Sequence, residues 1–307
     1  MSVNLGSYGA NNTAVKQFDT EVKQAYQAQT SVLDGSYRAR LGVVGDTYNF
    51  RKMTAIQAIK RNTIQTNVTP ANADYSLVTC SLANYDCSDY TDIFAQTEVN
   101  FSERQELATA IGGAMARRRD QNLFDAIIAG GTAAYGGAGQ SVASTVGGTS
   151  GASVNLNVAK LLAAKKFLDT KNVPKADRYI LMHANQAASL LTDPLFINRD
   201  YNGAGNFGSG QLMDGDPKFY LGFKFVIIGD YTEGGVPLRT ANRYAYVWHK
   251  MAVGAAFANV QETEVNYIPE KKSWLASGNL RMGAAVIEDQ TGLVRIDCVD
   301  AAGYTTA

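Results

Sequence analysis

The sequence predicts an α+β fold on three observations. One amphipathic helix fills residues 101–130, a basic, extended excursion fills 36–78, and the last fifty residues alternate as strands after an interleaved helix–strand stretch. Strands far apart in sequence then have to pack on a long helix, which a purely helical or purely sheet architecture does not provide.

The helix reads FSERQELATAIGGAMARRRDQNLFDAIIAG. Ser102 with Gln105 matches the capping-box pattern. Leu107, Ile111, Met115, Leu123 and Ile127 recur at helical spacing, and Gly130-Gly131 is the expected stop. About 27 helical residues at ~1.5 Å each give a rod of ~40 Å, long for a compact domain of this size. Gly112 and Gly113 sit in mid-helix. Each costs about 1 kcal/mol relative to Ala, and such pairs are where helices bend, so the two form a candidate hinge. The arginines Arg117, Arg118 and Arg119 point around roughly 200° of the helix, so they cannot share one acidic partner. A solvated face paired with Asp120 or Asp125 is the expected role; a contact with another subunit or with phosphate is the alternative.

Ahead of the helix, residues 1–12 are polar, and Val15, Phe18, Val22, Ala25 and Tyr26 draw a narrow apolar stripe on a helix from Asn12 to about Leu33. Nothing local covers that stripe, so it docks on the body or on another subunit. The runs YRARLGVV, DTYNFRKM and ADYSLVTC read as strands of the excursion, with turns at Val44-Gly45-Asp46 and Thr69-Pro70-Ala71. The excursion is rich in Arg and Lys and poor in large aliphatics.

Behind the helix, residues 130–153 are Gly, Ser, Thr and Ala with few anchors, which predicts a flexible surface loop. Asn157 caps a helix to about Leu168, the chain turns at Asn172-Val173-Pro174, and Arg178–Met182 is a buried strand. A short helix at Asn185–Leu191 leads to a Gly- and Asn-rich loop at 199–216, then strands at Phe223–Ile228 and Tyr244–Trp248. In the final strands Gln261, Thr263, Val265 and Tyr267 lie opposite Glu262, Glu264 and Asn266, and Val294, Ile296 and Cys298 alternate with Arg295 and Asp297. The long helix is their expected partner.

Composition narrows the function classes. Of 307 residues 46% are hydrophobic and only 18% charged, and 28 basic residues balance 28 acidic ones. A lightly charged, neutral surface favours association and lacks the basic excess of a dedicated nucleic-acid binder. No apolar run approaches the ~18 residues of a membrane span, and the start lacks a signal-peptide pattern. Cys80, Cys87 and Cys298 form no CxxC pair and read as buried or incidental thiols of a reducing cytosol.

Chemistry-bearing patterns are scarce, and the expectation is no catalytic residue, no metal site and no cofactor. The two histidines, His183 and His249, read as structural. The glycine-rich loop has no Lys between Gly130 and Val158, so the phosphate-loop pattern fails. Charge asymmetry is more telling. Arg38, Arg40, Arg51, Lys52, Lys60 and Arg61 stand against Asp46, whereas Asp86, Asp89, Asp92 and Glu98 follow with no basic residue between Cys80 and Phe101. A subunit whose basic hairpin lies on the acidic strip of the next copy has this pattern; self-pairing within one subunit is the alternative.

The succession of helical arm, basic hairpin, FSERQELATAIGGAMARRRDQNLFDAI, Gly-rich loop, LLAAKKFLDTKNVPKADRYILM, GFKFVIIGD, RYAYVWHKMAVGAAFANV and GNLRMGAAVIEDQTGLVRIDC resembles the major capsid proteins of tailed bacteriophages, with the Hong Kong 97-type fold. The resemblance implies an N-terminal arm at 1–35, an extended loop at 36–78 and a peripheral domain of 79–151 and 255–307 on a spine helix at about 102–129. It implies an axial domain at 152–254 pointing to five- and six-fold centres. It further implies pentamers and hexamers in an icosahedral shell around double-stranded DNA, in a virion assembled in the host cytoplasm. The implied partners are further copies of the chain, a portal protein, a separate scaffolding protein, a decoration protein and non-specifically held DNA, with no membrane. An encapsulin-like nanocompartment shell and a soluble α/β enzyme are the competing readings.

Overall fold

One long helix carries a four-stranded sheet on its flank and reaches a second, six-stranded sheet at its far end. The computed structural model describes residues 24, 30–60, 62–64, 67, 70–99, 101–134, 140–197, 218–229, 235–238, 242–288 and 290–301. Most of the expected N-terminal helix and the loop at 199–216 lie outside these residues.

In chain order the strands are β1 (Arg38–Arg40), β2 (Thr47–Met53), β3 (Tyr75–Ser81), β4 (Ala83–Asp92) and β5 (Ser141–Val142), then β6 (Arg178–His183), β7 (Phe219–Tyr220) and β8 (Phe223–Ile228). The C-terminal strands are β9 (Asn242–His249), β10 (Val253–Ile268), β11 (Ser273–Val286) and β12 (Leu293–Val299). The helices are α1 (Ile93–Glu98), α2 (Glu103–Ala134), α3 (Val158–Thr170), α4 (Ala184–Thr192) and α5 (Pro194–Ile197).

The predicted long helix is α2. Its first turn carries Glu103 and Glu106, acids that suit the positive end of the helix dipole. The Ser102 carbonyl accepts from the amides of Gln105 and Glu106. The helix is continuous through Gly112-Gly113 and, contrary to expectation, does not stop at Gly130-Gly131 but runs to Ala134. Tertiary packing explains the continuation. A Cβ on Gly130 would lie 2.6 Å from Val286 Cγ2, so this glycine permits close approach of α2 to β11.

The four-stranded sheet has the order β1-β10-β11-β4 and the six-stranded sheet β5-β12-β9-β6-β8-β7, while β2 and β3 form a separate hairpin. Along β11, Ala276, Gly278, Leu280 and Met282 are buried, and a Cβ on Gly278 would meet Ile111 of α2 at 2.7 Å. Leu275, Ser277, Asn279 and Arg281 point to the opposite face and are half-buried or exposed. The base of the hairpin covers one end of that face, where Val43, Phe50 and Cys80 pack with Ala256 and Ile287.

Three expectations change here. The run at 37–44 does not belong to the hairpin: β1 pairs parallel with β10, Arg38 opposite Gly254. β12 leaves the neighbourhood expected of it and joins the other sheet, between β9 and β5. The strand pattern was legible, but alternation does not say which distant strand pairs with it. The third concerns the supposed flexible loop at 130–153, whose residues 140–153 include β5 on the second sheet. Val142 and Leu156 are buried, and the fully buried Lys160 Nζ donates to the carbonyls of Val154 at 2.6 Å and Asp297 at 2.8 Å. That ammonium fastens the 154 segment and β12 to α3.

Several other local readings stand. Asn157 caps α3 by accepting from Lys160 N. Behind the Asn172-Val173-Pro174 turn, the buried Arg178 guanidinium donates to the carbonyls of Val173 and Pro174. His183 Nδ1 accepts from Asn185 N at the start of α4, and His249 Nδ1 accepts from Met251 N, so both histidines serve as caps. The three cysteines are free thiols; burial pushes Cys298 up to about 12.

Candidate subunit interfaces

Of the acidic residues predicted to meet a neighbour, Asp86 and Asp92 share one face of the sheet, whereas Asp89 stands opposite the buried Ala276 on the α2 side. Asp86, Asp89 and Asp92 are exposed on β4, an edge strand paired only with β11 among the described residues. Glu98 is exposed at the end of α1. Asp92 spends part of its capacity locally, capping α1 by accepting from Phe94 N at 2.8 Å. None of the four has an ion-pair partner among the described residues. Register adds two acids that the sequence reading set aside. Asp86 stands opposite Asn279, which stands opposite Glu262; Ser88, Ser277 and Glu264 form the next row. These two rows on the sheet face turned away from α2 thus present acids, amides and hydroxyls, with Tyr90 and Leu275 in the row beyond. The alternation of β10 had placed Glu262 and Glu264 together, and only the cross-strand register joins them to Asp86.

The basic residues are more dispersed. Arg38 and Arg40 are exposed on β1, with the Arg38 guanidinium 5.9 Å from the Phe50 ring centroid. Arg51 is exposed on β2 and Lys60 beyond it. Lys52 differs: its Nζ lies 2.9 Å from Glu288 of the same chain, at the root of the hairpin. Self-pairing therefore holds for Lys52, though with Glu288 and not with the acidic strip.

The outer half of the excursion is more apolar than its sequence reading allowed. Met53, Ile56, Ile59, Tyr75 and Leu77 are exposed, and Ile64 is 91% exposed. No periodicity marks them, because the chain between Thr54 and Lys60 forms no regular element. Unpaired isoleucines on an arm that lies away from the core are a cost in an isolated subunit.

The arginine triplet is turned into the body instead of forming a solvated face, and Arg119 holds the N-terminal segment. Arg117 is buried, and the Arg118 guanidinium lies 4.6 Å from the Tyr85 ring centroid on β4. Arg119 donates to Asp34 at 2.6 Å and to the Tyr37 hydroxyl, and stacks 5.1 Å from the Phe257 ring centroid. Neighbouring Asp120 is buried and accepts from Ser31 Oγ at 2.5 Å and Val32 N at 2.7 Å. Burial raises its carboxyl above the usual carboxylate range. Asp125 accepts from Gln121 instead. Aromatic partners from other elements decided these roles, and no helical spacing encodes them. Trp248 Nε1, donating to Ser36 O at 2.8 Å, fastens the same segment to the six-stranded sheet.

A spine helix with a sheet on its flank, a projecting hairpin and a separate six-stranded sheet can be compared with known proteins. The family model described as phage capsid protein matches residues 10–300. The chain belongs to the phage capsid protein family. Its fold is similar to the capsid of the cyanophage P-SCSP1u (15% identity, 98% of this chain and 97% of that one, TM-score 0.71). It is similar also to the capsid of Ralstonia phage GP4 (11% identity, all of both chains, TM-score 0.70). The head of Helicobacter pylori bacteriophage KHP40 gives 13% identity over 97% of this chain and 98% of that one, with a TM-score of 0.69. No curated protein matches. The fold is therefore of the Hong Kong 97 type, and the chain is a major capsid protein that forms the shell of a tailed phage. The family is structural in character, which leaves the soluble-enzyme reading without support.

Proposed function

We propose that the subunits close into pentamers and hexamers of an icosahedral shell around double-stranded DNA, with the hairpin of each copy lying on the acidic sheet face of the next. One observation carries this reading: the same chain exposes an apolar and basic hairpin and, among the described residues, an acidic sheet face. Arg51 and Lys60 of the hairpin supply positive charge for Asp86, Asp92 and Glu98 of a neighbour, with Glu262 and Glu264 extending the strip, while Arg38 and Arg40 on β1 and Asp89 on the other face of β4 lie outside this contact. The exposed isoleucines supply apolar area for an obligate contact, of a class that typically exceeds ~2,000 Å² in total. A head-to-tail contact of this kind generates rings when its rotation closes. The paired Gly112 and Gly113 give the spine a place to bend as the shell changes size. In this reading a portal protein, a separate scaffolding protein and a decoration protein complete the particle. Packaged DNA is held without sequence preference, and assembly takes place in the host cytoplasm.

The test is charge reversal on the hairpin. Arg51→Glu with Lys60→Glu leaves Lys52–Glu288 intact, so the folded subunit should keep its melting temperature while shell assembly is lost. Normal shells from this variant would remove the charge contribution from the proposed contact.

A further inference from the structure

The six-stranded sheet carries a cationic cavity unrelated to the hairpin and its acidic counterpart. It has a volume of about 270 Å³ and lies between α3, the start of β6 and the β7–β8 turn. Lys165, Lys175 and Arg178 line it together with Tyr220 and the Leu221-Gly222 turn. The turn residues have φ of 51° and 89°, the left-handed pair of a tight two-residue hairpin. The hairpin holds β7 against β8, since Phe219 and Tyr220 stand opposite Lys224 and Phe223. Arg178 enters as the first residue of β6, opposite Phe223.

Arg178 is the fixed point of the site. Its side chain is 1% exposed, and Nε and Nη2 are held by the carbonyls of Pro174 and Val173 and by Asp169 at 2.7 Å. Those bonds set the plane of the guanidinium, and Nη1 has no hydrogen-bond partner among the described residues. Asp169 offsets one positive charge. Lys165 and Lys175 have no ion-pair partner among the described residues, so the cavity carries a net excess of two positive charges. The nearby acid Asp177 is already paired with Lys224 at 2.8 Å. Supporting the last turn of α3 is a sufficient role for Arg178, but it leaves the two lysines unexplained. Concentrating cations in a concavity is costly unless an anion completes it.

We propose that this cavity is a binding site for a phosphate group. Its volume is at the small end for ligand sites, which suits one or two phosphates and not a large cofactor. A preset guanidinium beside two mobile ammonium groups is the donor set that recognises phosphate oxygens. Concavity favours a compact anion over the flat acidic surface of another subunit. The phosphate has two possible sources, the DNA backbone inside the particle and a free polyphosphate or nucleotide.

Titration calorimetry of the full-length, unassembled protein with pyrophosphate tests the site. Saturable one-to-one binding is expected, weakened at least about tenfold by Lys165→Ala with Lys175→Ala and weakened further by added salt. Lys166→Ala, which removes one positive charge from an exposed α3 position outside the cavity, should leave the affinity unchanged. A short DNA duplex that displaces pyrophosphate assigns the site to the DNA backbone; one that does not assigns it to a free phosphate compound. Arg178 is left intact in these variants because its burial makes it a folding residue. Absent or non-saturable binding overturns the proposal, as does equal weakening by Lys166→Ala. So does a double variant that never bound pyrophosphate differently yet fails to assemble, an outcome that assigns the cavity to a neighbour's carboxylates.

Discussion

Replacing Asp120 with Ala should free the N-terminal segment from the spine helix without melting either. The carboxylate is 4% exposed and holds Ser31 Oγ and the Val32 amide at 2.5 and 2.7 Å. Hydrogen bonds to a charged acceptor contribute about 1.5–3 kcal/mol each, and relief of the buried charge offsets part of the pair. A net local loss of about 2–4 kcal/mol remains, which raises the open population of residues 31–34 roughly 30- to 700-fold. Leu33, Tyr37 and the Trp248–Ser36 bond stay in place, so residues 35–37 should be affected less. Hydrogen exchange on the unassembled protein reads this directly, as faster exchange at 31–34 with α2 unchanged. Asp120→Asn, which keeps an acceptor, should show a smaller effect. The sign with pH follows from burial. The folded state binds the Asp120 proton more tightly than the unfolded chain does, so this contribution to stability declines as pH rises from the ordinary carboxylate range through the raised value. Asp120→Asn should abolish that slope. Unchanged exchange at 31–34 in Asp120→Ala would refute the role given to this carboxylate.

Other substitutions probe separate parts of the account. Gly130→Val drives a side chain into Val286 and should cost about 1–3 kcal/mol by overpacking, with partial recovery when Val286→Ala is added; an unchanged melting temperature would contradict the close approach of α2 and β11. Replacing Gly112 and Gly113 with Ala should allow shells to form but stop them from expanding, as read by particle diameter; normal expansion would sink the hinge. His249 is held below its ordinary value chiefly by burial, so its contribution to stability is lost as pH falls from about 6.5 through the lowered value. His249→Asn, which can still cap the Lys250–Ala252 turn, should flatten that part of the stability–pH curve, and an unaltered curve would assign the acid sensitivity elsewhere.

Local signals in the sequence placed most elements well. Asn157 and the spacing behind it gave α3, the short apolar runs gave β6 and β8, and the helical stripe gave α2 over nearly its whole length. What was illegible depended on partners remote in sequence. Gly130 looks like a stop, yet it is a contact with Val286, 156 positions away in the chain. β1 has three residues and no pattern of its own, and only its pairing with β10 defines it. For the interface, the acids on β4 were legible as a charge run. Glu262 and Glu264 join them only through register, and the exposed isoleucines of the hairpin follow no helical or strand period that would mark them.

The central claim is that this subunit is built to be completed by its own copies, and electron cryomicroscopy of the purified protein tests it most directly. The account predicts uniform closed shells in which the hairpin of one subunit lies over the β4–β11–β10 face of the next, with density joining Arg51 to the acidic strip. Shells in which that face is open to solvent, or a small monodisperse species with no shells, would contradict it.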